Sequence, residues 1–320
     1  MKPFAFVFPG QGSQSVGMLD AWGDHPVVAE TLKEASEALG EDLAKLIKEG
    51  PKEVLGLTTN TQPVMLVAAV AAYRVWMSET GVAPQAVAGH SLGEYSALVA
   101  AGVLSLAQAT PLVRFRAQAM QQAVPVGAGA MAAILGMEAA KVIAGCAEVT
   151  AALQALGGAS EDEVVQAVNF NDPMQTVIAG SKVAVEKAME LLKTNGAKRA
   201  LPLPVSAPFH SILMSPAADK LRERLESVEF AEPQITLINN VDVAVEFDAD
   251  RIRHALYRQA FGPVRWVECV QGFKARGISH LVECGPGKVL AGLVKRIDPE
   301  MTGIALFDPA SLAEVQVQLA

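Results

Sequence analysis

Cysteine is scarce in this chain, and its positions argue against two kinds of site. The 320 residues include only Cys146, Cys269 and Cys284, and no two of them form a C-x-x-C pair. An odd number of isolated cysteines indicates neither a disulfide framework nor a zinc site with the usual ligand spacing. We therefore expect reduced thiols, no structural metal and a reducing compartment.

Long apolar runs and an excess of basic charge are also missing. The longest wholly apolar run near the middle, residues 64–73, has about half the length that a helix needs to cross a bilayer. The apolar stretch after Lys2 breaks at Pro9 and Gly10, too early for the core of a secretory signal. The net charge of −8 argues against broad nucleic-acid binding, which needs a dense basic surface. The sequence predicts a cytoplasmic globular protein without a membrane span.

Apolar residues are plentiful and arranged in a recognisable order. The chain is 51% hydrophobic and only 19% charged, which allows a large core in one large domain or two unequal ones. In the first third, short apolar runs such as residues 4–8 and 86–88 alternate with helix-like stretches. Buried strands between helices predict a βαβ arrangement with a mainly parallel sheet.

The pattern changes near Pro125, where Gly127 and Gly129 interrupt the chain. Between residues 126 and 204 the predicted order is strand, helix, strand, strand, helix, strand, which is the ferredoxin-like pattern. Long helices and short apolar strands return after Pro208. We therefore predict an α/β core formed by residues 1–125 and 205–320, interrupted by a ferredoxin-like α+β insert at residues 126–204.

Ser91 is the candidate nucleophile. Residues 89–93 match G-x-S-x-G, in which a sharp turn from strand to helix exposes the serine hydroxyl. The motif alone is a weak signal, but here an apolar strand precedes it and a helix rich in small residues follows. The alternative is a serine that only completes a turn.

His210 is the candidate base among five histidines. A serine hydroxyl is nearly inert at neutral pH, so a base must lie within hydrogen-bond reach. His210 follows an apolar strand predicted at residues 200–205, and sites gather at the exit ends of parallel strands. The alternative for His210 is a satisfied loop histidine. We expect surface or packing roles for the others, with His90 ordering the turn: His25, His90, His254 and His280.

The residues alone leave open which groups would assist this pair. Asp219, Asp242, Glu283 or a backbone carbonyl could orient the imidazole. The backbone N–H of Leu92 is a natural oxyanion donor, and a second donor could come from the glycine-rich loop at residues 9–14. That loop lacks the Lys-Ser or Lys-Thr of a phosphate-binding loop and does not complete G-x-G-x-x-G.

An arginine on a mostly apolar helix suggests an anionic substrate. Arg114 and Arg116 lie two positions apart, so at most one of them should point inward. A buried guanidinium needs an anion and matches a carboxylate through paired charge-assisted hydrogen bonds. The alternative is an internal partner such as Glu94.

Taken together, these motifs resemble one family. The residues that carry the resemblance are segments 8–14, 89–94, 206–210 and 283–287, together with Arg116. They strongly resemble the malonyl-CoA:acyl-carrier-protein transacylases, stand in that family's order and span nearly the whole chain. The family has a hydrolase-like α/β core, with a parallel sheet flanked by helices, and an inserted ferredoxin-like subdomain. The resemblance therefore implies the same fold class as the residue pattern.

The resemblance also implies roles for the matching residues. Ser91 would attack the malonyl thioester, with His210 as base and then as acid. A main-chain carbonyl, that of Gln259, would orient His210. The backbone amides of Gln11 and Leu92 would form the oxyanion hole.

Two further positions concern the acyl group. Arg116 would bind the malonate carboxylate. Phe209, directly before the histidine, resembles the residue at that position in malonyl-selective members. Transfer would be ping-pong, from malonyl-CoA to acyl carrier protein through a malonyl-Ser91 ester, without a metal or other cofactor. We favour fatty-acid synthesis and a monomer. The alternatives are a serine thioesterase or hydrolase, a malonyl transferase of a polyketide pathway, and a non-catalytic binding member of the fold.

Overall fold

The computed structural model describes residues 1–155, 163–205 and 207–320. Its strands are β1 (Phe4–Phe8), β2 (Ala86–Gly89), β3 (Gly129–Leu135), β4 (Val165–Asp172), β5 (Gln175–Ser181), β6 (Arg199–Pro202), β7 (Thr236–Ile238), β8 (His280–Cys284) and β9 (Thr302–Leu306). Its helices are α1 (Pro26–Leu39), α2 (Leu43–Glu49), α3 (Lys52–Leu55), α4 (Thr58–Thr80), α5 (Gly93–Ala100), α6 (Leu106–Gln121), α7 (Ala139–Ala155), α8 (Lys182–Thr194), α9 (Ser215–Glu226), α10 (Ala249–Phe261), α11 (Trp266–Ala275), α12 (Val289–Ile297) and α13 (Pro309–Leu319).

The larger sheet has the strand order β7-β2-β1-β8-β9, and every neighbouring pair is parallel. All residues of β1 and β2 are buried, as expected for a parallel sheet covered by helices on both faces. Phe8 pairs with Gly89 at the ends of these strands. The loop after β1 and the turn after β2 therefore leave the sheet side by side, which is where α/β folds place their sites. The predicted parallel sheet is confirmed.

Helix α4 contains the apolar run at residues 64–73, and its buried residues include every position from Val64 to Ala72. A helix that is apolar on all sides belongs in a core, and this one packs under the large sheet with α1, α5 and α6. No helix in the described part of the chain is long and apolar enough to cross a membrane.

The smaller sheet is antiparallel, with strand order β4-β5-β3-β6. Together with α7 and α8 it follows the predicted strand-helix-strand-strand-helix-strand sequence, so the small α+β unit is confirmed. These elements fall between residues 126 and 204. The boundaries at residues 125/126 and 204/205 remain a prediction.

Strand β4 of the small sheet contacts the segment between α10 and α11. The backbone N–H of Phe170 donates to the carbonyl of Val264 at 2.9 Å, and the N–H of Val264 donates to the carbonyl of Val168 at 2.8 Å. The cavity that contains the candidate site is lined by residues of both units.

The predicted position of His210 at the exit of a parallel core strand is wrong. The strand predicted at residues 200–205 is β6, which ends at Pro202 and pairs antiparallel with β3. His210 thus does not leave a parallel strand of the core; it lies in the loop that returns from the small sheet. Alternating apolar residues indicate a strand but not which sheet it joins. Ser206, the first residue of the motif at 206–210, lies outside the described residues.

Candidate active site

The turn that carries Ser91 requires glycine on both sides. Ser91 has φ of 52°, a left-handed conformation that is uncommon for a residue with a side chain. A Cβ at Gly89 would lie 1.8 Å from the carbonyl carbon of Gly93, and a Cβ at Gly93 would lie 2.0 Å from the carbonyl oxygen of Phe8. The tight approach of helix α5 to strands β1 and β2 therefore depends on the two motif glycines and presents the serine at the sheet's edge.

His210 lies against this serine. Its Nε2 is 2.7 Å from Ser91 Oγ, and its Nδ1 is 2.9 Å from the backbone carbonyl oxygen of Gln259. A carbonyl can only accept a hydrogen bond, so the Nδ1 proton faces Gln259 and Nε2 is left as an acceptor. This arrangement orients the imidazole to take the serine proton.

The environment of His210 keeps it neutral. Burial, and then the nearby positive charge of Arg116, lower the pKa of His210 to about 3. A neutral imidazole can accept a proton at physiological pH, whereas an imidazolium cannot. Burial likewise lowers the pKa of His90, whose Nε2 is hydrogen-bonded to Asn171 Oδ1 at 2.8 Å.

The other groups considered from sequence lie elsewhere. Each candidate carboxylate has a different partner: Asp219 accepts from Tyr257, Asp242 pairs with Arg258, and Glu283 accepts from the backbone of Ala291. Three histidines likewise contact other residues: His25 lies by Glu79, His254 by Arg258 and His280 by Ser279. Of the orienting groups left open by the sequence, the backbone carbonyl is the one that contacts His210.

Arg116 points inward from α6 and Arg114 does not. Arg116 is 2% exposed, and its Nη2 donates to Ser91 Oγ at 3.2 Å. Arg114 instead forms two hydrogen bonds of 2.7 Å with Glu41. The guanidinium that reaches the candidate nucleophile could bind an anionic group attached to an acyl chain on Ser91.

Arg116 has polar neighbours that are not carboxylates. Nη1 donates to Gln62 Oε1 at 2.7 Å, and Nη2 donates to Gln259 Oε1 at 3.0 Å. Glu94, the internal partner suggested from sequence, forms no ion pair with Arg116 within the described ranges. Burial raises the pKa of Glu94 to about 7, although hydrogen bonds from Asn240 and Gln259 and the charge of Arg116 oppose this rise.

Among the described residues, two backbone amides of cavity-lining residues have no internal acceptor. In the described residues, neither the N–H of Gln11 nor that of Leu92 donates a hydrogen bond. Both residues line the same cavity as Ser91. Free N–H groups beside a nucleophile are the donors that an oxyanion hole uses.

The cavity at this point is small. It has a volume of about 120 Å³; for comparison, an engineered protein cavity of about 150 Å³ binds benzene. It therefore suits a short acyl group. Phe209 lines it and packs between apolar groups of the small sheet and of α6. The lining comprises Gln11, Gln62, His90, Ser91, Leu92, Arg116, Met120, Met131, Asn169, Leu203, Val205, Phe209 and His210.

Sequence reasoning missed Gln62 and the side-chain role of Gln259. Gln62 directly precedes Pro63 and the apolar run of α4, and it is 3% exposed. A polar amide at the start of a buried apolar run could have identified Gln62 as a site residue, because buried amides need hydrogen-bond partners. The described residues contain no group of three or more His, Cys, Asp or Glu side chains that could hold a metal ion.

Comparisons with known proteins agree over almost the full chain. The family described as acyl transferase domain matches residues 5–294. Malonyl CoA-acyl carrier protein transacylase of Escherichia coli strain K12 is 53% identical over 314 residues, covering 98% of each chain. The crystal structure of the acyl-carrier-protein S-malonyltransferase from Burkholderia pseudomallei 1710b is 62% identical with a TM-score of 0.93, and the match covers 98% of this chain and 99% of that one.

A further solved structure contains a bound partner. It is a type II PKS acyl-carrier protein in complex with its malonyl-transacylase, 50% identical with a TM-score of 0.94, and the match covers 99% of this chain and 100% of that one. High identity over nearly the entire length of each relative leaves no large segment unmatched. The chain therefore belongs to the acyl transferase family, among the malonyl CoA-acyl carrier protein transacylases.

Proposed function

We propose that this protein is an acyl-carrier-protein S-malonyltransferase, which moves a malonyl group from malonyl-CoA to the phosphopantetheine thiol of acyl carrier protein. The observation that carries the proposal is the position of Arg116, whose Nη2 lies 3.2 Å from Ser91 Oγ, while His210 Nε2 lies 2.7 Å from the same oxygen. A nucleophile and base next to a buried cation suit an acyl group that ends in a carboxylate.

In the first half-reaction, His210 Nε2 accepts the Ser91 proton as Oγ attacks the thioester carbonyl. The N–H groups of Gln11 and Leu92 stabilise the resulting oxyanion. Its collapse breaks the carbon–sulfur bond, and the departing coenzyme A sulfur takes the proton back from His210. The product is a malonyl-Ser91 ester.

In the second half-reaction, the phosphopantetheine thiol gives its proton to His210 and its sulfur attacks the ester carbonyl. The ester bond to Ser91 breaks, and His210 returns the proton to Oγ. The carbonyl oxygen of Gln259, 2.9 Å from Nδ1, stabilises the imidazolium in both half-reactions. Both steps exchange one acyl group between oxygen and sulfur, so we propose that the reaction needs no cofactor.

Arg116 and Phe209 select the acyl group in this proposal. Arg116 binds the free carboxylate of malonate through charge-assisted hydrogen bonds. Phe209 closes the cavity beside the acyl chain with an apolar face. We further propose that the enzyme acts in the cytoplasm, in agreement with three free cysteines that are all buried.

The test is the intact mass of wild-type and Ser91→Ala protein after brief exposure to malonyl-CoA, followed by carrier protein bearing its phosphopantetheine arm. We expect a malonyl adduct on wild type alone, which then moves to the carrier. An adduct lost to water without a carrier would indicate a thioesterase or hydrolase. Absence of any adduct would indicate a binding protein.

A polyketide carrier is the second candidate acceptor, because one of the structural relatives is the malonyl-transacylase bound to a type II PKS carrier. Comparing the kcat/KM of transfer to a fatty-acid carrier and to a type II polyketide carrier distinguishes the two. We favour the fatty-acid carrier, and a clear preference for the polyketide carrier would reverse this assignment.

A further inference from the structure

Arg116 is held by neutral acceptors rather than by a carboxylate. Its guanidinium donates to the side-chain oxygens of Gln62 at 2.7 Å and Gln259 at 3.0 Å, and these two glutamines are 3% and 0% exposed. Within the described part of the chain it forms no ion pair. Buried charges in proteins are usually paired with an opposite charge. Two neutral amides are therefore unusual partners for a buried guanidinium.

A carboxylate is present but lies one side chain further away. Glu94 Oε2 accepts hydrogen bonds from Gln259 Nε2 at 3.2 Å and from the backbone N–H of Asn240 at 3.0 Å. The amide of Gln259 therefore stands between Glu94 and Arg116, on the path that a direct ion pair would occupy. Burial makes that pair attractive, because the interaction of opposite charges strengthens as water is excluded.

The Gln259 amide is fixed in one orientation. Its Nε2 faces two acceptors, the carbonyl of Ser91 at 3.1 Å and Glu94, while its Oε1 faces the donors of Arg116. Turning the amide around would place acceptor against acceptor and donor against donor. Glu94 thus helps to present an uncharged oxygen to the arginine.

We propose that Gln62 and Gln259 are specificity-determining positioning residues, whose uncharged side chains keep a carboxylate off Arg116 and leave the guanidinium available for the carboxylate of the acyl group. A carboxylate at either position would form a charge-assisted pair that the substrate must break, whereas hydrogen bonds to an amide are weaker. This inference rests on the proposed malonyl transfer.

The sharpest test exchanges the amide and the carboxylate. The double variant Glu94→Gln/Gln259→Glu keeps the composition and total charge of the cluster but places the carboxylate against Arg116. The main-chain carbonyl that accepts from His210 remains. We expect the ratio of Ser91 acylation rates with malonyl-CoA and acetyl-CoA to fall at least about tenfold, equal to about 1.4 kcal/mol.

The single variant Glu94→Gln is the matched control, since Arg116 then keeps both amides. We expect it to retain most of the wild-type malonyl-to-acetyl ratio even if both rates fall. The inference is overturned if the double variant keeps the wild-type ratio. It is also overturned if Glu94→Gln alone lowers the ratio as far as the double variant does.

A second pair of variants covers the case in which the exchanged cluster does not fold. Gln62→Glu introduces a carboxylate from α4 and leaves the contacts of Glu94 and Gln259 intact, while Gln62→Met removes the acceptor without adding charge. We expect Gln62→Glu to lower the malonyl-to-acetyl ratio at least about tenfold below that of Gln62→Met. Equal ratios in the two variants would overturn the inference.

These outcomes differ from a failure of the proposed function. If wild-type protein forms no malonyl adduct, malonyl transfer itself is refuted. If wild type forms the adduct with a clear preference over acetyl and none of the charge-bearing variants changes that preference, only the role of the two glutamines is refuted.

Discussion

Replacing Arg116 with alanine should change which acyl group Ser91 accepts. In the proposed complex the guanidinium binds the malonyl carboxylate, whereas an acetyl group offers it no anion. A hydrogen bond to a charged group contributes about 1.5–3 kcal/mol, and each 1.4 kcal/mol corresponds to about a tenfold change. Arg116→Ala should therefore lower the preference for malonyl over acetyl by roughly ten- to a hundredfold or more.

The preference should be measured as the ratio of two single-turnover acylation rates, with malonyl-CoA and with acetyl-CoA. Arg116 also donates to Ser91 Oγ at 3.2 Å, so its loss will affect the nucleophile itself. That effect is common to both substrates and cancels in the ratio. The ratio therefore isolates the contribution of the carboxylate.

Arg114→Ala is the matched control. Arg114 lies on the same helix, two positions away, and pairs with Glu41 instead of reaching the cavity. It should leave the ratio at the wild-type value. If Arg116→Ala keeps the wild-type preference, or if both alanine variants lower it equally, the assignment of Arg116 to the malonyl carboxylate is refuted.

Two further predictions concern stability. Gly93→Ala should destabilise the fold by several kcal/mol in urea unfolding, because the new Cβ would lie 2.0 Å from a backbone oxygen of Phe8. The control is Gly292→Ala in α12, where a Cβ would have nothing within 4 Å; it should be neutral or stabilise the fold by up to about 1 kcal/mol. Equal losses of stability in the two variants would contradict this reasoning. His210, whose pKa falls from 6.5 to about 3 on folding, binds its proton more readily when unfolded. Its contribution to stability is present above pH 6.5 and is lost as pH falls, at up to about 1.4 kcal/mol per pH unit. His210→Gln should therefore weaken the pH dependence of the free energy of unfolding. Identical slopes of that free energy against pH in the variant and in wild type would disprove the prediction.

Local sequence signals predicted much of the site because their physical reasons are local. The G-x-S-x-G pattern marks a strand-turn-helix unit, and Gly89 is required by a contact within that unit, with Gly93, although Gly93 itself is required by its contact with Phe8 of β1. The run of small and apolar residues around them identifies buried strands and helices. Helix spacing also indicated that at most one of Arg114 and Arg116 points inward, but the resemblance to the family was needed to select Arg116.

Other assignments needed the resemblance to a family as well as the residues. The apolar strand before His210 belongs to the antiparallel sheet, so its position along the chain is not a valid reason to identify His210 as the base. Gln259 could not be identified from its residue type, because the atom that contacts His210 is a main-chain carbonyl oxygen that every residue possesses.

The sequence by itself determined the alternation of strands and helices, the turn from strand to helix at Ser91 and the element order of the small inserted unit, because each is indicated by residues close together in the chain. Only the tertiary structure decided the contacts between distant segments, such as Ser91 with His210 and Arg116 with Gln62 and Gln259. Those contacts depend on how the two sheets and their helices pack. The role of a buried amide can be inferred only when its partner is known, and for Gln62 and Gln259 that partner is Arg116.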